Sequence, residues 1–496
     1  MEDKGFILAI DQSTATTKVF LFDSKLNIVA RAARSHKQYY PSPGWVEHDP
    51  REIVKKTYEA CREVLHNVPK DNVLAVSITN QRETVVVWDG SGQPIYNAVV
   101  WQCQRGKEIC ESLKSRGYAD VVRDKTGLLI DPYFSASKIT WLVKNVKEVK
   151  EKLLEGDLHV GTMDSWLVWN LTKDKVYASD YSNASRTLLL NINTLSWDEE
   201  LIEMFEISGV KLPSLVDSDS AVGYTDLDGI LPHGVPILGV MGDSSAALYG
   251  QLGFELGDTK ATYGTGTSIM INVKNFKPRL KSGVLSIGWS QGGKVDFVVE
   301  GNIHSSGDTV KWLVEQMELA GSIEEVEKLA ASVENNDGVY FVPAFVGLGA
   351  PYWENDARAL ICGMSRRTNK SHIARAAIES IAYQVYDLFT ALCEEAGVTP
   401  RELRADGGAT KNAFLMQFQA NVLNVPVTVS KFEDCSALGV ALLAARRLGL
   451  MDPSEFQLER VYYYPSMDEA ERRELIRGWR EAVQRTVLRV RGEQHG

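Results

Sequence analysis

Two stretches of the chain share one pattern, and this pattern limits the possible folds more than any other feature. "FILAIDQSTATTKVFLFD" in the first half and "DTKATYGTGTSIMINV" in the second each join two strand-like runs through a turn of small and hydroxylic residues. Such runs predict two strands connected by a tight turn. One hairpin in each half favours an internal structural duplication, although hairpins are too common for the pattern alone to establish it.

The length of the chain predicts more than one domain. It has 496 residues, which is more than one hydrophobic core usually holds. Helical stretches alternate with the strands; in "HDPREIVKKTYEACREVL", for example, Asp49 can cap a helix that begins with Pro50. Strands mixed with helices throughout predict an α/β architecture. We place the domain boundary near residue 250, which gives domains of residues 1–250 and 251–496.

Composition and charge exclude several classes of function. The 44% hydrophobic and 24% charged residues are typical of a folded, water-soluble protein, and the net charge of -11 gives no reason to bind nucleic acid or an anionic membrane. The sequence has neither an apolar run long enough to span a membrane nor a recognisable signal peptide, so we expect a cytoplasmic protein. The six cysteines form no CxxC motif, which predicts reduced thiols, and the eight scattered histidines give no sign of structural zinc.

Three turns are candidates for binding a nucleotide. "DQSTATTK" offers backbone N–H groups and hydroxyls that suit a phosphate, while Lys18 adds charge and Asp11 can hold Mg²⁺ through water. In "TYGTGTS", Gly264 and Gly266 permit close approach of a ligand to the backbone. "LRADGGATKNAF" has a Gly-Gly turn between a strand and a helix that should start near Lys411. Each turn alone is also typical of ordinary loops.

A second set of residues suits a polyhydroxylated ligand. In "NQRET", the guanidinium of Arg82 donates hydrogen bonds and the carboxylate of Glu83 accepts them, so that together they can hold vicinal hydroxyls. Trp101 and Tyr133 can supply an apolar wall, although each of these residue types is more often plain core. Asp243, in "MGDSSAAL", follows a buried strand; it can be a helix N-cap, a base for a hydroxyl that attacks a γ-phosphate, or both.

Together and in this order, these motifs resemble one family. With "YYPSPGWVEHDP", "TGLLIDPYFSASK", "DYSNASRTLLLNI" and "YFVPAFVGLGAPYW", the chain is similar nearly end to end to the FGGY carbohydrate kinases, and within them to the glycerol kinases. The resemblance implies a two-domain, actin-like (ribonuclease H-like) ATPase fold with the active site in an interdomain cleft. It also implies ATP-dependent phosphorylation of the terminal hydroxyl of a small polyol, glycerol to sn-glycerol 3-phosphate, with Mg²⁺, in a homodimer or homotetramer.

The resemblance also assigns roles residue by residue. It implies that the first domain binds the acceptor and supplies Asp243 as catalytic base, and that the second binds the nucleotide. The implied acceptor-binding residues are Arg82, Glu83, Trp101, Tyr133, Asp243, Ser244 and Ser268. The implied nucleotide-binding residues are Asp11, Thr14, Ala15, Thr16, Lys18, Thr265, Gly307, Lys311, Gly408 and Asn412. Asp11 and Asp243 are the implied metal ligands, through water.

Five positions depart from the usual pattern of glycerol kinases. Ser13 stands where glycine is usual, Lys18 where arginine is usual and Lys311 where glutamine is usual. Ser244 replaces a pocket glutamine and Ser268 a pocket aromatic, and both changes shrink the side chain. They leave room for a longer acceptor, such as erythritol, a pentitol, xylulose or ribulose, as the alternative to glycerol.

Two rival classes of function compete with a kinase. The first is a non-catalytic ATPase of the same fold, and the second is a sugar-sensing regulator. The presence of Arg82, Glu83 and Asp243 together argues against the first, because such an ATPase has no acceptor to bind. The second is disfavoured because no helix-turn-helix pattern precedes the first hairpin and the net charge is negative. We therefore expect a small-molecule polyol and ATP as partners, and no nucleic acid.

Overall fold

The structure is a computed structural model that describes residues 5–354 and 356–493, and of residues 489–493 the backbone alone. It contains two compact units. The first consists of the described residues of Met1–Leu252 with Leu285–Phe297 and Asp434–Gln457. The second consists of the described residues of Gly253–Val284, Val298–Glu433 and Leu458–Gly496. Both units mix strands and helices, as the sequence predicts.

The first unit is built on a six-stranded sheet with the strand order β14-β15-β6-β1-β2-β3. Its first fifteen strands are β1 Phe6–Gln12, β2 Thr16–Phe22, β3 Ile28–Ser35, β4 Gln38–Tyr39, β5 Glu47–His48, β6 Val73–Asn80, β7 Val85–Trp88, β8 Ala98–Val99, β9 His159–Thr162, β10 Ala178–Asp180, β11 Leu190–Asn191, β12 Ser196–Trp197, β13 Ser214–Val216, β14 Ala221–Thr225 and β15 Val235–Gly242. Its first nine helices are α1 Pro50–Val64, α2 Lys107–Ser115, α3 Ala119–Thr126, α4 Ser135–Asn145, α5 Lys147–Leu154, α6 Met163–Leu171, α7 Tyr181–Ala184, α8 Glu199–Met204 and α9 Asp243–Gly250.

Except for residues 285–297 and 434–457, which belong to the first unit, the later elements of the chain lie in the second unit. Its strands belong mainly to a seven-stranded sheet of order β18-β19-β17-β16-β22-β23-β24. The strands are β16 Thr259–Tyr263, β17 Thr267–Lys274, β18 Val284–Gln291, β19 Lys294–Ile303, β20 Tyr340–Val342, β21 Leu360–Cys362, β22 Leu403–Asp406, β23 Val427–Ser430 and β24 Arg460–Tyr463. The helices that follow in the chain are α10 Gly307–Glu315, α11 Ile323–Ala331, α12 Lys370–Ala396, α13 Ala413–Leu423, α14 Cys435–Arg447 and α15 Glu469–Glu493.

The two sheets repeat one topology around the two predicted hairpins. In the first, β1 is antiparallel to β2 and parallel to β6, which is itself parallel to β15. In the second, β16 is antiparallel to β17 and parallel to β22, which is itself parallel to β23. The repeat gives the predicted duplication a topological basis. It also places loops with similar connections after corresponding strands, where α/β sheets commonly bind ligands.

The predicted division into residues 1–250 and 251–496 needs a correction. The first segment of the first unit does end at Leu252, but residues 285–297 and 434–457 also belong to that unit. Residues 434–457 belong to the first unit because α14 packs on α9. A Cβ on Gly439 would lie 1.9 Å from the carbonyl oxygen of Ala246, and one on Gly250 would lie 2.1 Å from that of Cys435. The two helix backbones are therefore in direct contact, which a linear reading of the chain does not reveal.

Two further observations concern general properties of the chain. Among the helices in the described ranges, none is both long and apolar enough to cross a lipid bilayer. All six cysteines lie in those ranges as free thiols, and five of them are buried.

A buried carboxylate joins three segments of the second unit. Asp387 of α12 accepts hydrogen bonds on the same oxygen, Oδ2, from the hydroxyl of Tyr352 at 2.6 Å and from Nε1 of Trp479 in α15 at 2.5 Å. Burial raises the pKa of Asp387 from its ordinary value of 3.8 to about 6. The folded protein therefore holds this proton at a pH at which the unfolded chain releases it.

We expect this proton to give the second unit a measurable pH dependence. As the pH rises from about 4 to about 6, the unfolded chain binds fewer protons here than the folded one, so the free energy of unfolding falls, by roughly 3 kcal/mol in all. In Asp387→Asn the amide oxygen keeps both hydrogen bonds and does not titrate. The variant should lose less stability than the wild-type protein over this range in urea unfolding, and parallel pH profiles would contradict the assignment.

Candidate active site

Parallel strand ends gather the candidate residues of the first unit. Gln12 at the end of β1 and Gly242 at the end of β15 are both in register with Asn80, the last residue of β6. The segments that follow these strands therefore begin at one edge of the sheet. Because the carboxyl ends of parallel strands commonly form ligand sites, this edge is the natural place for a site.

Arg82 and Asp243 meet at this edge. Nε of Arg82 lies 3.4 Å from Oδ1 of Asp243; the arginine side chain is 5% exposed and the aspartate side chain 37%. Asp243 is the first residue of α9, and Gly242 is its N-cap. The predicted capping role of Asp243 is therefore wrong, because the extended backbone conformation of a cap residue falls one residue earlier. The carboxylate instead faces a buried cation.

Gly242 makes room for this arrangement. Its N–H donates to Oγ of Ser182 at 2.9 Å, which fixes the start of α9. A Cβ at this position would lie 2.7 Å from both Cγ and Cδ of Arg82. The methylenes of the arginine thus pack against the bare α-carbon, and no larger residue fits without moving the guanidinium.

Gly242→Ala is expected to lower kcat/KM on the order of 10²-fold, because the methyl displaces Arg82 from Asp243 and small misplacements in a site have effects of this size. Steady-state kinetics with the acceptor test this. Gly234→Ala is the matched control, since the nearest atom to its added methyl is Cβ of Tyr224 at 3.9 Å. Equal activity of the two variants would show that the packing of Gly242 on Arg82 has no role in the reaction.

Glu83 is held in an unusual conformation by a buried ion pair. Its φ is +61°, which is rare for a residue with a side chain. Nε of Arg186 donates to Glu83 Oε1 at 2.6 Å, and both side chains are almost fully buried. The hydroxyl of Ser135 donates to the carbonyl oxygen of Glu83 at 3.0 Å. Strained backbone of this kind is commonly found at functional sites.

Arg186 was missed by the sequence reasoning and is a central residue of this cluster. Besides Glu83, it contacts Oγ of Ser286 at 2.8 Å. Its guanidinium lies 5.7 Å from the ring centre of Tyr133 and 5.0 Å from that of Phe134. A signal was present: the run "SRTLLLNI" places one arginine among residues that are expected to be buried, and a buried arginine needs an acidic partner.

The two aromatic candidates contact each other. The rings of Trp101 and Tyr133 meet edge to face, with centres 5.5 Å apart. Lys138, fully buried in α4, donates to the carbonyl oxygens of Pro132 and Tyr133, each at 2.6 Å. Burial lowers the pKa of this lysine to about 8. The ammonium group thus fixes the main chain that carries Tyr133, another role that sequence reasoning did not assign.

The turn after β1 is closed by its own side chains. Ser13 donates through both N and Oγ to the carbonyl oxygen of Thr16, at 2.9 and 2.8 Å. The serine thus closes the turn where glycine is usual in the family that the sequence resembles. Ala15 is exposed at the tip, and its carbonyl oxygen accepts from the N–H of His36 at 3.3 Å. Thr14 is half-buried, and its hydroxyl accepts a hydrogen bond from Trp101 Nε1 at 3.0 Å.

The beginning of α14 contacts the first hairpin. Lys18 Nζ lies 2.6 Å from Oδ1 of Asp434, and the hydroxyl of Ser436 donates to Oδ2 of Asp11 at 2.8 Å. Burial, with a smaller contribution from the negative charge of Asp243, raises the pKa of Asp11 to about 6. The two carboxylates that are predicted metal ligands therefore influence each other electrostatically. Asp434 and Ser436, distant in the sequence, were not predicted to take part.

In the second unit, the turn after β16 packs against the start of α10. The N–H of Gly307 donates to the carbonyl oxygen of Gly264 at 3.1 Å, and a Cβ on Gly307 would lie 2.5 Å from that oxygen. The carbonyl oxygen of Thr265 accepts from the N–H of Ser306 at 2.9 Å. The structure thus brings together Thr265 and Gly307, two of the predicted nucleotide-binding residues.

The Gly-Gly turn lies at the same edge of this sheet. Thr262 of β16 is in register with Asp406, the last residue of β22. Gly407 has a φ of +96°, and a Cβ there would lie 2.3 Å from the carbonyl oxygen of Tyr263. Gly408 then begins a 3-10 turn, so α13 starts at Ala413 rather than near Lys411, as predicted.

The four remaining candidate residues lie on different helices and strands. Asn412 is the N-cap of α13, with its side chain accepting from the N–H of Leu415 at 3.0 Å. Lys311 lies on α10, with Nζ 3.5 Å from a carboxylate oxygen of Glu315. Ser244 follows Asp243 in α9 and is half-buried. Ser268 lies on β17, and its buried hydroxyl has no hydrogen-bond partner among the described residues.

Comparison with known proteins identifies the family. Residues 6–250 match the N-terminal domain of the FGGY family of carbohydrate kinases, and residues 259–448 match the C-terminal domain. The chain is 53% identical to glycerol kinase 1 of Thermotoga maritima over 97% of its own length and 99% of the relative. It is 45% identical to a glycerol kinase of Xanthomonas campestris pv. campestris over 98% and 99% of the two chains.

A solved structure supports the same assignment. The glycerol kinase of Plasmodium falciparum, solved with ADP, superposes with a TM-score of 0.92 at 37% identity, covering 97% of this chain and 98% of the other. The similarity confirms the predicted two-domain α/β fold of these ATP-dependent phosphotransferases. The family models cover most of the chain, and the relatives match both units. The chain therefore belongs to the FGGY family of carbohydrate kinases.

Proposed function

We propose that this kinase transfers the γ-phosphoryl group of ATP to a terminal hydroxyl of glycerol, giving sn-glycerol 3-phosphate. The observation that carries the proposal is the contact of Arg82 with Asp243 at 3.4 Å, next to the buried pair of Glu83 and Arg186. A partly exposed carboxylate, a buried guanidinium and a fixed second carboxylate suit the recognition and deprotonation of neighbouring hydroxyls. The relatives named glycerol kinase point to the same acceptor.

The proposed reaction assigns one role to each of these residues. Arg82 donates to one hydroxyl of the acceptor and Glu83 accepts from another, while Trp101 and Tyr133 cover its carbon atoms. Asp243 takes the proton from the terminal hydroxyl of the acceptor. The oxygen of this hydroxyl attacks the γ-phosphorus in line, and ADP leaves. Because the protein forms no covalent bond, the rate comes from positioning and from charge stabilisation.

The residues at the first hairpin fit a magnesium ion bound with ATP. Asp11 is buried beside β2, and the negative charge of Asp243 contributes to the rise in its pKa. Two nearby carboxylates repel each other, and a bound divalent cation removes this repulsion. Mg²⁺ usually binds through one or two carboxylates, waters and phosphate oxygens, which suits ligation by Asp11 and Asp243 through water. When bound, the ion would neutralise negative charge on the phosphates.

We propose that the nucleotide binds residues of the first hairpin and residues of the second unit. Thr14, Ala15, Thr16 and Lys18 of the first hairpin would contact the phosphates. In the second unit we propose Thr265, Gly307, Lys311, Gly408 and Asn412. We also propose that the enzyme acts in the cytoplasm and that it assembles as a homodimer or homotetramer, as the resemblance implies.

A longer acceptor is the second candidate. It is favoured by the small side chains of Ser244 and Ser268, and in particular by the buried Ser268 hydroxyl, which has no partner among the described residues. The test is kcat/KM for glycerol, erythritol, ribitol, xylulose and ribulose in an assay coupled to ADP. We expect glycerol to be preferred. A preference of about tenfold or more for a four- or five-carbon substrate would reject glycerol, and no acceptor-dependent ADP release would reject a kinase.

A further inference from the structure

Five polar residues of the first unit connect the acceptor wall to the phosphate-binding turn. They are Gln12, Thr14, Gln81, Thr84 and Trp101. The hydrogen bonds run from one to the next: Gln81 N donates to Gln12 O at 2.7 Å, and Gln81 Nε2 to Gln12 Oε1 at 3.0 Å. Gln12, Gln81 and Thr84 are almost completely buried, so water does not compete for these bonds.

The connection continues to the indole of Trp101. Thr84 Oγ1 donates to Gln81 Oε1 at 2.8 Å and accepts from the main-chain N–H of Trp101 at 3.2 Å. The indole Nε1 of Trp101 then donates to Thr14 Oγ1 at 3.0 Å. Because Gln81 is bonded through its main chain and both ends of its amide, the backbone segments carrying Trp101 and Thr14 are fixed relative to each other.

The last bond in this connection determines where the hydroxyl of Thr14 can point. An indole N–H only donates, so the threonine oxygen is the acceptor and its own proton must be directed away from the ring. Thr14 is half-buried in the turn that the proposed function assigns to the phosphates of ATP. A hydroxyl oriented in this way can donate to a phosphate oxygen without first rotating from another orientation.

We infer that Trp101 serves both substrates: its ring covers the acceptor, and its Nε1–H orients the Thr14 hydroxyl for the nucleotide. Trp101 is thus a positioning residue for ATP as well as an acceptor residue. This inference rests on the proposed function, because it takes Thr14 as a phosphate contact. It differs from a purely apolar role for the tryptophan, which would affect the acceptor alone.

Trp101→Phe separates the two roles, because phenylalanine keeps an apolar ring and removes the N–H. We expect the Kd for ADP, measured by calorimetry without acceptor, and the KM for ATP to rise about five- to tenfold, the effect of one hydrogen bond. The KM for glycerol should change less than the KM for ATP. Trp197→Phe is the matched control: this half-buried indole donates to the carbonyl oxygen of Pro213 at 2.8 Å, and we expect no change in nucleotide binding.

Thr14→Val completes the test. It should weaken ADP binding at least as much as Trp101→Phe, and the double variant should bind ADP no worse than Thr14→Val alone, because the indole then has no hydroxyl to orient. Unchanged ADP binding in Trp101→Phe, or losses that add in the double variant, would overturn the inference. Failure of the wild-type protein to phosphorylate any polyol would reject the proposed function instead, and the ADP measurements do not depend on it.

Discussion

Asp243→Asn should lower kcat by about 10²- to 10⁴-fold, the usual contribution of a general base, while the acceptor and ATP still bind. The amide is nearly the same size as the carboxylate and preserves the fold of α9, but it cannot take the proton of the attacking hydroxyl. Asp243 is well placed for this role because its side chain is partly exposed at the edge of the sheet and only 3.4 Å from Arg82. Steady-state kinetics with binding measurements test it.

Asp198→Asn is a suitable control for this variant. Asp198 is also a partly buried carboxylate of the first unit that contacts a cation, Lys125, at 2.8 Å, and it caps α8 instead of contacting a candidate site residue. We expect Asp198→Asn, which loses the ion pair with Lys125, to lower the stability of the protein and to leave kcat unchanged. If Asp243→Asn retained more than about a tenth of the wild-type kcat, another group would have to accept the proton.

The sequence contained the information for the elements of the site but not for their connections. The hairpin at Asp11 and the strand ends before Arg82 and Asp243 follow from local patterns of apolar and polar residues, and the structure has them where expected. The N-cap of α9 was misplaced by one residue, because glycine and aspartate are both good caps and only the backbone conformation distinguishes them.

The site residues that the sequence did not predict contact partners that are far away in the sequence. Arg186 is 103 positions from Glu83, and Ser436 is 425 positions from Asp11. Neither belongs to a local motif with a recognisable chemistry, and their roles arise only when the sheet and α14 bring the segments together. The discontinuous first unit has the same origin, since the packing of Gly439 on α9 depends on contacts between distant segments.

Arg186→Met should have the largest effect on stability. Arg186 and Glu83 are 2.6 Å apart, with side chains only 1% and 2% exposed, so removing the guanidinium leaves a carboxylate buried without its cation. Breaking a buried pair in this way costs about 3–5 kcal/mol of unfolding free energy. We also expect the KM for glycerol to rise, because Arg186 fixes both Glu83 and the ring of Tyr133.

The double variant Arg186→Met/Glu83→Gln distinguishes the two effects. It removes both charges of the ion pair, so most of the lost stability should return, whereas the glycerol KM should remain high because no carboxylate is left to accept the hydroxyl. Arg375→Met is the matched control in the second unit: it breaks a buried pair with Glu379 at 2.7 Å and should reduce stability without raising the glycerol KM. Wild-type stability and glycerol KM in Arg186→Met would mean that the pair neither stabilises the fold nor positions Glu83.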